Sequence, residues 1–327
     1  MSSSQDSLAP KITNNRLNQQ NRPSKSDLAD RLFRYLMYAA SGISVGILLL
    51  MGGTIFQHTL PALKQFGLGF LVGKEWNVQD QIFGAVPAIY GTIGSSAIAL
   101  SIAIPVGLSV AILTSEDLLP QKLRSIVAFV IELIAAIPSV VFGLWGFFTL
   151  VPLLRPLQEF LHAKFAWVPL FSTEPSGFGL FTAGTLLAIM ILPTLAAVSR
   201  EVLLVVPSYL RTGSMALGAT RWETIFRVVL PTAFSGIIGA VMLALGRALG
   251  ETMAVTMVIG NSSTIGPSLF EAAYSIPAIL ANQFGEAQED VHLGALAYLA
   301  LILFVLTLAV NVGAVGLVRL VERGGKQ

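Results

Sequence analysis

Long apolar runs separated by short polar segments dominate this chain. Val228–Gly246 and Thr252–Phe270 are separated by five residues that include Arg247 and Glu251, and we join the two runs into a single span. Tyr35–Leu63 gives another span. The other runs are free of charge: Gln81–Ser115, Leu133–Leu154, Gly177–Ser199 and Leu293–Val318. About 20 apolar residues in a helix cross the hydrocarbon core of a bilayer. The pattern therefore predicts six transmembrane helices, at 34–57, 86–114, 125–152, 177–199, 235–259 and 293–318.

Composition agrees with that pattern. Hydrophobic residues make up 54% of the chain and charged residues only 12%, against about 25% charged residues in soluble domains. We therefore predict an all-α integral membrane protein. The chain has no cysteine, and its three histidines are scattered, so no metal site or cofactor is expected. Nothing indicates a nucleic-acid partner.

The distribution of basic residues predicts the orientation. Of the 20 Lys and Arg residues, Arg247 lies inside a span, four lie on one side, and the remaining 20 − 1 − 4 = 15 lie on the other. The four are Lys64, Lys74, Arg155 and Lys164. Because basic residues favour the cytosolic side, both termini are predicted to be cytosolic, and the protein to be a multi-pass protein of the bacterial inner membrane.

The same pattern divides the chain into segments. Residues 1–30 are rich in Ser, Asn and Gln and predict a disordered cytosolic tail. Residues 31–84 form an N-terminal anchor helix with an external loop, and 85–318 form a five-helix core. Within the core, 200–232 is a cytosolic loop. Residues 319–327 are a short cytosolic tail.

The fifth span carries the most informative charges. Arg247 lies inside it, and Glu251 follows four residues later, so one helix would bring both to the same face. That face lies close to a stripe of small residues, Gly236, Ala240, Ala244 and Ala248, so we predict that both charges point toward the packed interior. A charge at membrane depth is costly and is usually kept for function, and the donors of arginine suit an oxyanion. We interpret Arg247 as an anion contact and Glu251 as its resting counter-ion. The alternative is an ion pair that only locks helices together.

Other polar residues inside spans are weaker candidates for the substrate pathway. Glu132 lies in the third span and either pairs with Arg247 or reaches the cytosolic interface. Ser95 and Ser96 in the second span can donate hydrogen bonds to an anion, although small hydroxyl residues are also routine packing residues in membranes. The chain contains no P-loop motif, so any ATP must be hydrolysed by a partner.

The cytosolic loop predicts two short helices that meet at Gly218. Thr220 is placed to cap the second helix, and Pro231 to stop it. The alternative is an amphipathic segment on the membrane surface. The candidate residues for contact with a partner are Ser214, Gly218, Ala219, Thr220, Arg221, Trp222, Val228, Leu230 and Pro231.

The spacing of Gly218, Val228, Leu230 and Pro231 resembles the coupling loop of ABC-importer permeases. Thr212, Gly213 and Ser214 stand where that family has Glu-Ala-Ala. The segment Gly246-Arg-Ala-Leu-Gly-Glu-Thr-Met-Ala-Val, followed by Ile259-Gly-Asn, resembles the C-type permease of phosphate importers. The resemblance extends over about 85–318.

This resemblance implies a type I permease fold and a transport subunit without enzymatic activity of its own. It also implies two copies of an ATP-binding subunit, a second homologous permease, an external phosphate-binding protein, and surrounding lipid. Three other functions stay open: a permease for sulfate, molybdate or phosphonate, a membrane enzyme acting on a phosphate-bearing lipid, and a passive anion channel.

Overall fold

The computed structural model describes residues 25–324, and nearly all of them lie in helices or in short connections between helices. The α-helices are α1 Lys25–Phe66, α2 Gly69–Val72, α3 Val86–Ser115, α4 Gln121–Ala135, α5 Ser139–Trp145, α6 Val151–Phe165, α7 Leu180–Val205, α8 Ser208–Ala216, α9 Arg221–Thr224, α10 Leu230–Gly250, α11 Met253–Val258, α12 Ile276–Gln283 and α13 Asp290–Gly324. A small antiparallel hairpin pairs β1 (Trp76–Asn77) with β2 (Ile82–Phe83).

Two compact units make up the chain, residues 1–54 and 55–327. The described part of the first unit is the beginning of α1, whose side chains from Asp30 onwards are almost all exposed. Residues 1–24 of the predicted disordered tail lie outside the described residues. Lys25–Asp30 already belong to α1, and α13 runs into the predicted C-terminal tail as far as Gly324.

The prediction of six spanning helices is confirmed for the described residues. Six helical stretches are long and apolar enough to cross a membrane: Asp30–Phe66, Val86–Ser115, Ser139–Phe165, Leu180–Val205, Arg221–Gly250 and Asp290–Gly316. The first, second, fourth and sixth agree with the sequence pattern to within several residues at their ends. Their large apolar side chains are often exposed, as expected of surfaces that face lipid or other subunits.

The third predicted span, 125–152, is wrong in its boundaries. Helix α4 ends at Ala135, and Pro138 adopts an extended conformation before α5 begins. A proline disfavours helical backbone in the residue before it and has no N–H for the helix ladder. The spanning helix therefore starts at Ser139, after the proline, and α4 is a separate, more amphipathic helix.

Two prolines are accommodated by a locally wider helix. Gly146–Leu150 and Ile225–Val229 are π-helical turns, and each is followed two residues later by a proline, Pro152 or Pro231. A proline removes one hydrogen bond and crowds the carbonyl one turn earlier, and a π-turn relieves both effects. Pro231 consequently does not stop the helix, contrary to the prediction, and helix continues from Arg221 to Gly250.

Helices α3 and α7 form the centre of the second unit. Their backbones approach closely at glycines: a Cβ on Gly107 would lie 2.3 Å from Leu195 Cδ2, and one on Gly184 would lie 2.5 Å from Ile98 Cβ. Small residues at such contacts permit tight helix packing in membranes. The buried side chains around them belong to a core cluster that also includes residues of α10 and α11.

Candidate functional site

The predicted small-residue stripe of the fifth span packs as expected. Ala240, Ala244 and Ala248 are buried, and a Cβ on Gly236 would lie 2.4 Å from Val202 Cγ1 of α7. Gly246, by contrast, has open space around it. The stripe therefore fixes which face of α10 lies against the protein and which face is left open.

Arg247 lies on the open side of α10, in its last turn. The side chain is exposed, and its Nη1 donates one long hydrogen bond of 3.4 Å to Thr194 Oγ1 of α7. This position differs from the prediction, which put both charges toward the packed interior of one helix. In a chain that spans a membrane, an arginine on an exposed helix face requires water, an anion or another protein opposite it.

Glu251 does not continue the helix. It is the C-terminal cap of α10, with φ −70° and ψ 123°, so the predicted single span over 235–259 is wrong. Its carboxylate accepts a 3.4 Å hydrogen bond from the backbone N–H of Ala254, in the first turn of α11. This contact satisfies a donor that the short helix leaves free.

Arg247 and Glu251 therefore do not share a helical face. Three ion pairs occur among the side chains that the structure describes, and Arg247, Glu251 and Glu132 belong to none of them. The predicted Arg247–Glu251 and Arg247–Glu132 pairs are not formed in this structure.

The weaker candidates lie elsewhere. Ser95 is buried in α3, and its hydroxyl donates to Gly91 O of its own helix at 2.7 Å. Ser96 is also buried, and its Oγ has no hydrogen-bond partner. Glu132 is exposed on α4 and lines a small pocket with Arg200 and Glu201 of α7.

Helix α8 is one of the two short helices predicted in the cytosolic loop, but the second, α9, is the first turn of the continuous helix Arg221–Gly250. Helix α7 ends at Val205 and α10 begins at Leu230; we call the segment 206–229, which includes the first turns of that continuous helix, the coupling element. Gly218 has φ +92°, a conformation that favours glycine. The backbone N–H groups of Gly218 and Ala219 bond back to Met215 O at 3.0 Å and Ser214 O at 3.2 Å. These two hydrogen bonds close α8 with a Schellman motif.

Thr220 caps α9 as predicted. Its Oγ accepts from the N–H of Glu223 at 3.3 Å, while the Glu223 carboxylate accepts from the Thr220 N–H at 2.9 Å. This reciprocal capping box satisfies two donors at the start of a short helix. The hydroxyl of Thr224 donates to Ser214 Oγ at 3.0 Å, so the two helices of the coupling element are also tied to each other.

The coupling element presents apolar and aromatic side chains at its surface. Leu217 is 92% exposed, and the exposed rings of Trp222 and Phe226 stack with centroids 6.2 Å apart. The other residues predicted to contact a partner form two groups. Arg221 and Pro231 are exposed, whereas Ala219, Val228 and Leu230 are half-buried against the body of the protein. An exposed apolar patch with a polar rim is typical of a protein-binding surface.

Four arginines surround the end of α3, and the sequence pattern did not identify this cluster. Arg200 Nε donates to Thr114 O at 3.4 Å, and Arg221 Nη1 donates to Asp117 O at 3.0 Å. Arg124 Nη2 bonds Asp117 Oδ1 at 2.7 Å, and this hydrogen bond lowers the pKa of the Asp117 carboxyl. The fourth, Arg211, pairs with Glu116 at 2.9 Å.

The sequence pattern treated Arg124, Arg200 and Arg211 only as markers of the cytosolic side, and Arg221 also as a candidate contact with a partner. Glu116 and Arg211 are 95 residues apart in the chain, and no local pattern joins residues at that distance. Across the described range 25–324, no group of three or more His, Cys, Asp or Glu side chains could hold a metal ion.

Comparison with known proteins gives one family. The family described as "Binding-protein-dependent transport system inner membrane component" matches residues 103–324. The chain is 44% identical over 288 residues to the phosphate transport system permease protein PstC of Mesorhizobium japonicum, covering 86% of this chain and 87% of that protein. It is 42% identical over 295 residues to the protein of the same name from Xylella fastidiosa, covering 87% and 89%.

Solved structures share the fold at low sequence identity. The inward-facing MetNI methionine ABC transporter matches with a TM-score of 0.51 and 19% identity, covering 73% of this chain and 94% of that one. A bacterial ABC transporter that imports the acidic polysaccharide alginate matches with a TM-score of 0.55 and 18% identity, covering 88% and 97%.

Proposed function

The chain belongs to the family of binding-protein-dependent transport system inner membrane components, and on that premise we propose that it is the membrane subunit through which an ATP-driven importer moves phosphate. It is a multi-pass protein of the inner membrane and a transport subunit rather than an enzyme. Relatives named as phosphate permeases match along almost their whole length, which supports phosphate as the cargo.

Arg247 is the observation that carries the proposal. It lies on the open face of a spanning helix with one long hydrogen bond to Thr194, and its guanidinium is free to offer several donors to an anion. Arginine binds tetrahedral oxyanions through two parallel N–H donors. We place Arg247 in the phosphate pathway, together with Glu251 at the nearby break in the helix. Nothing in the geometry adds support for Ser95, Ser96 or Glu132.

The geometry of the coupling element favours the proposal that a partner protein hydrolyses ATP. A Schellman motif ends α8, a capping box begins the helix at Arg221, and the element presents Leu217, Trp222 and Phe226 outward. A rigid element with exposed aromatic side chains suits a groove on another protein. The partners we propose are two copies of an ATP-binding subunit, a second homologous permease beside the open face of α10, and an external phosphate-binding protein.

Uptake into vesicles tests this function. Proteoliposomes with the assembled complex and with ATP sealed inside, on the side of the coupling element, should accumulate labelled phosphate only when the binding protein is added outside. Excess unlabelled phosphate should compete, and sulfate, molybdate and phosphonate should not. Competition by one of those anions would make the chain a permease for that anion. Uptake without ATP would make it a channel, and turnover of a phospholipid without any ATPase would make it an enzyme.

The orientation predicted from basic residues needs its own test. Glu174, Glu286 and Arg221 are all exposed, and the chain has no native cysteine. A single cysteine at position 174 or 286 should react with an impermeant thiol reagent in intact cells, whereas one at 221 should react only after the membrane is opened. The opposite labelling would reverse the orientation.

A further inference from the structure

The ion pair between Glu116 and Arg211 joins the end of α3 to the coupling element. We propose that these two are positioning residues that carry the movement of the coupling element to α3 and α7 during transport. The proposal rests on the proposed function, because it assumes that an ATPase moves the coupling element.

Three nitrogen–oxygen contacts join the two side chains of the pair. Arg211 Nη2 lies 2.9 Å from Glu116 Oε1, and Nε lies 3.2 Å from Oε1 and 3.3 Å from Oε2. Both side chains are largely shielded from water, with 19% of Arg211 and 13% of Glu116 exposed. A shielded arginine that meets a carboxylate with two nitrogens fixes direction as well as distance.

Arg211 also binds the end of α7. Its Nη1 donates to Val206 O at 2.5 Å and its Nη2 to Leu203 O at 2.8 Å. Leu203 lies in the last turn of α7 and Val206 is its C-terminal cap, a region where carbonyls lack the full set of helical partners. One side chain of α8 therefore holds the ends of both central helices, α3 through Glu116 and α7 through its carbonyls.

Apolar packing also holds the end of α3, the end of α7 and the coupling element together. A buried cluster brings together side chains from the end of α3, the end of α7, the coupling element and the start of α10: Ala111, Ile112, Leu203, Val206, Ile225, Val229, Ala233 and Ile237. Close-packed side chains transmit displacement instead of absorbing it. Helix α7 in turn carries Thr194, the hydrogen-bond partner of Arg247.

Stability alone does not explain the pair. A shielded ion pair costs desolvation, and well-packed apolar side chains at the same place often stabilise a protein equally or better. What the pair adds is a link of fixed direction between the end of α3, through Glu116, and α8, through Arg211, two segments that are distant in the chain. A link of this kind is useful where the two segments must move together.

Glu116→Gln and Arg211→Gln test the proposal in the assembled complex. Phosphate taken up and ATP hydrolysed are measured in the same proteoliposomes, together with the amount of assembled complex. Each variant should assemble and hydrolyse ATP, but phosphate moved per ATP should fall about tenfold, within the range expected for a coupling free energy between sites. A merely structural pair would lower assembly, uptake and hydrolysis in proportion and leave the ratio unchanged.

Glu159→Gln is the matched control. It breaks an ion pair of the same length, Arg155 Nε–Glu159 Oε1 at 2.9 Å, but that pair is exposed and lies within α6. Exposed pairs contribute little, so the ratio of phosphate to ATP should stay at the unmodified value. A similar fall in phosphate moved per ATP in this variant would overturn the proposal, because the effect would not be specific to the Glu116–Arg211 pair.

A covalent replacement gives the sharper test. Glu116→Cys and Arg211→Cys, combined in the cysteine-free chain, should show the low ratio until a short bis-methanethiosulfonate reagent forms one disulfide with each cysteine, releasing methanesulfinate, and so joins them. The ratio should then rise and should fall again on reduction. No recovery, or an unchanged ratio in all variants while the unmodified complex transports, would refute the positioning role alone. An unmodified complex that moves no phosphate with ATP would refute the proposed function and this proposal with it.

Discussion

The coupling element and the end of α10 differ in how many internal contacts hold them. The coupling element has a Schellman motif, a capping box, a hydrogen bond between its two helices and a shielded ion pair to α3. Arg247, at the other region, has one long hydrogen bond to Thr194 and an open helix face around it. A part that transmits movement must be held by its own chain. A part that handles a ligand must leave its donors available.

This comparison predicts the largest effect at Arg247. Arg247→Gln removes donors that bind the anion, each charge-assisted hydrogen bond contributing ~1.5–3 kcal/mol, so losing about 3 kcal/mol should lower phosphate uptake about 100-fold. Because Arg247 makes little contact within the chain, the amount of assembled complex should stay near normal. Uptake in cells and the quantity of purified complex are the two measurements.

Arg155→Gln is the control for that variant. Arg155 is also an exposed arginine, and in the structure it lies on the spanning helix Ser139–Phe165, but it has a carboxylate partner in Glu159. Its loss should leave uptake within about twofold, since exposed ion pairs are worth ~0–1 kcal/mol. Equal damage from both variants would show that any exposed arginine matters and would remove Arg247 from the phosphate pathway.

Gly218 should give the next largest effect, through the coupling element. Gly218→Leu puts a side chain at φ +92°, which costs ~1–3 kcal/mol and disturbs the turn between α8 and α9. The space around Gly218 is open, so the change should not harm folding of the core. We expect normal abundance in the membrane and loss of most ATPase from the purified complex.

Gly213→Leu separates backbone conformation from bulk. Gly213 lies within α8, also with open space around it and without a positive φ. Leucine is a better helix former than glycine, so this variant should keep the ATPase unless the position itself contacts the partner. Normal assembly of Gly218→Leu would contradict the role assigned to the turn.

Thr194 should give the smallest of the three effects. Thr194→Val removes the only hydrogen bond that the Arg247 side chain makes in the described part of the chain. A net hydrogen bond of about 1 kcal/mol corresponds to roughly fivefold in uptake. Thr185→Val is the control, because Thr185 lies on the same helix but bonds its own backbone at Phe181 O. Equal effects in the two variants would mean that Thr194 acts through helix stability.

Sequence patterns located the elements better than their ends. The six spans were predictable because apolar length alone determines whether a helix can cross a bilayer. The breaks at 136–138 and 251–252 were not, because prolines also occur inside membrane helices and Glu251 was interpreted as a charge within one continuous helix. The cap at Thr220 followed from local chemistry, whereas Pro231 was misjudged because a π-turn lets the helix pass it.

The candidate site was predictable only in part. Arg247 stood out because a charge inside an apolar run is rare, but its exposure depended on where α10 ends and on how its alanines pack against α7. Glu251 was expected on the same helical face as Arg247, but α10 ends at Gly250, so Glu251 lies outside that helix. The Glu116–Arg211 pair joins residues 95 positions apart, and such a contact is visible only in the folded chain.

The most direct test of the contrast between the two regions measures phosphate uptake and ATP hydrolysis together for Arg247→Gln and Gly218→Leu. Both variants are reconstituted with the same ATPase and binding protein. The contrast predicts that Arg247→Gln loses uptake but still hydrolyses ATP in response to the binding protein, whereas Gly218→Leu loses both activities. If Arg247→Gln transports phosphate at the unmodified rate, or if both variants lose both activities in parallel, the separation of a substrate region from a coupling region is contradicted.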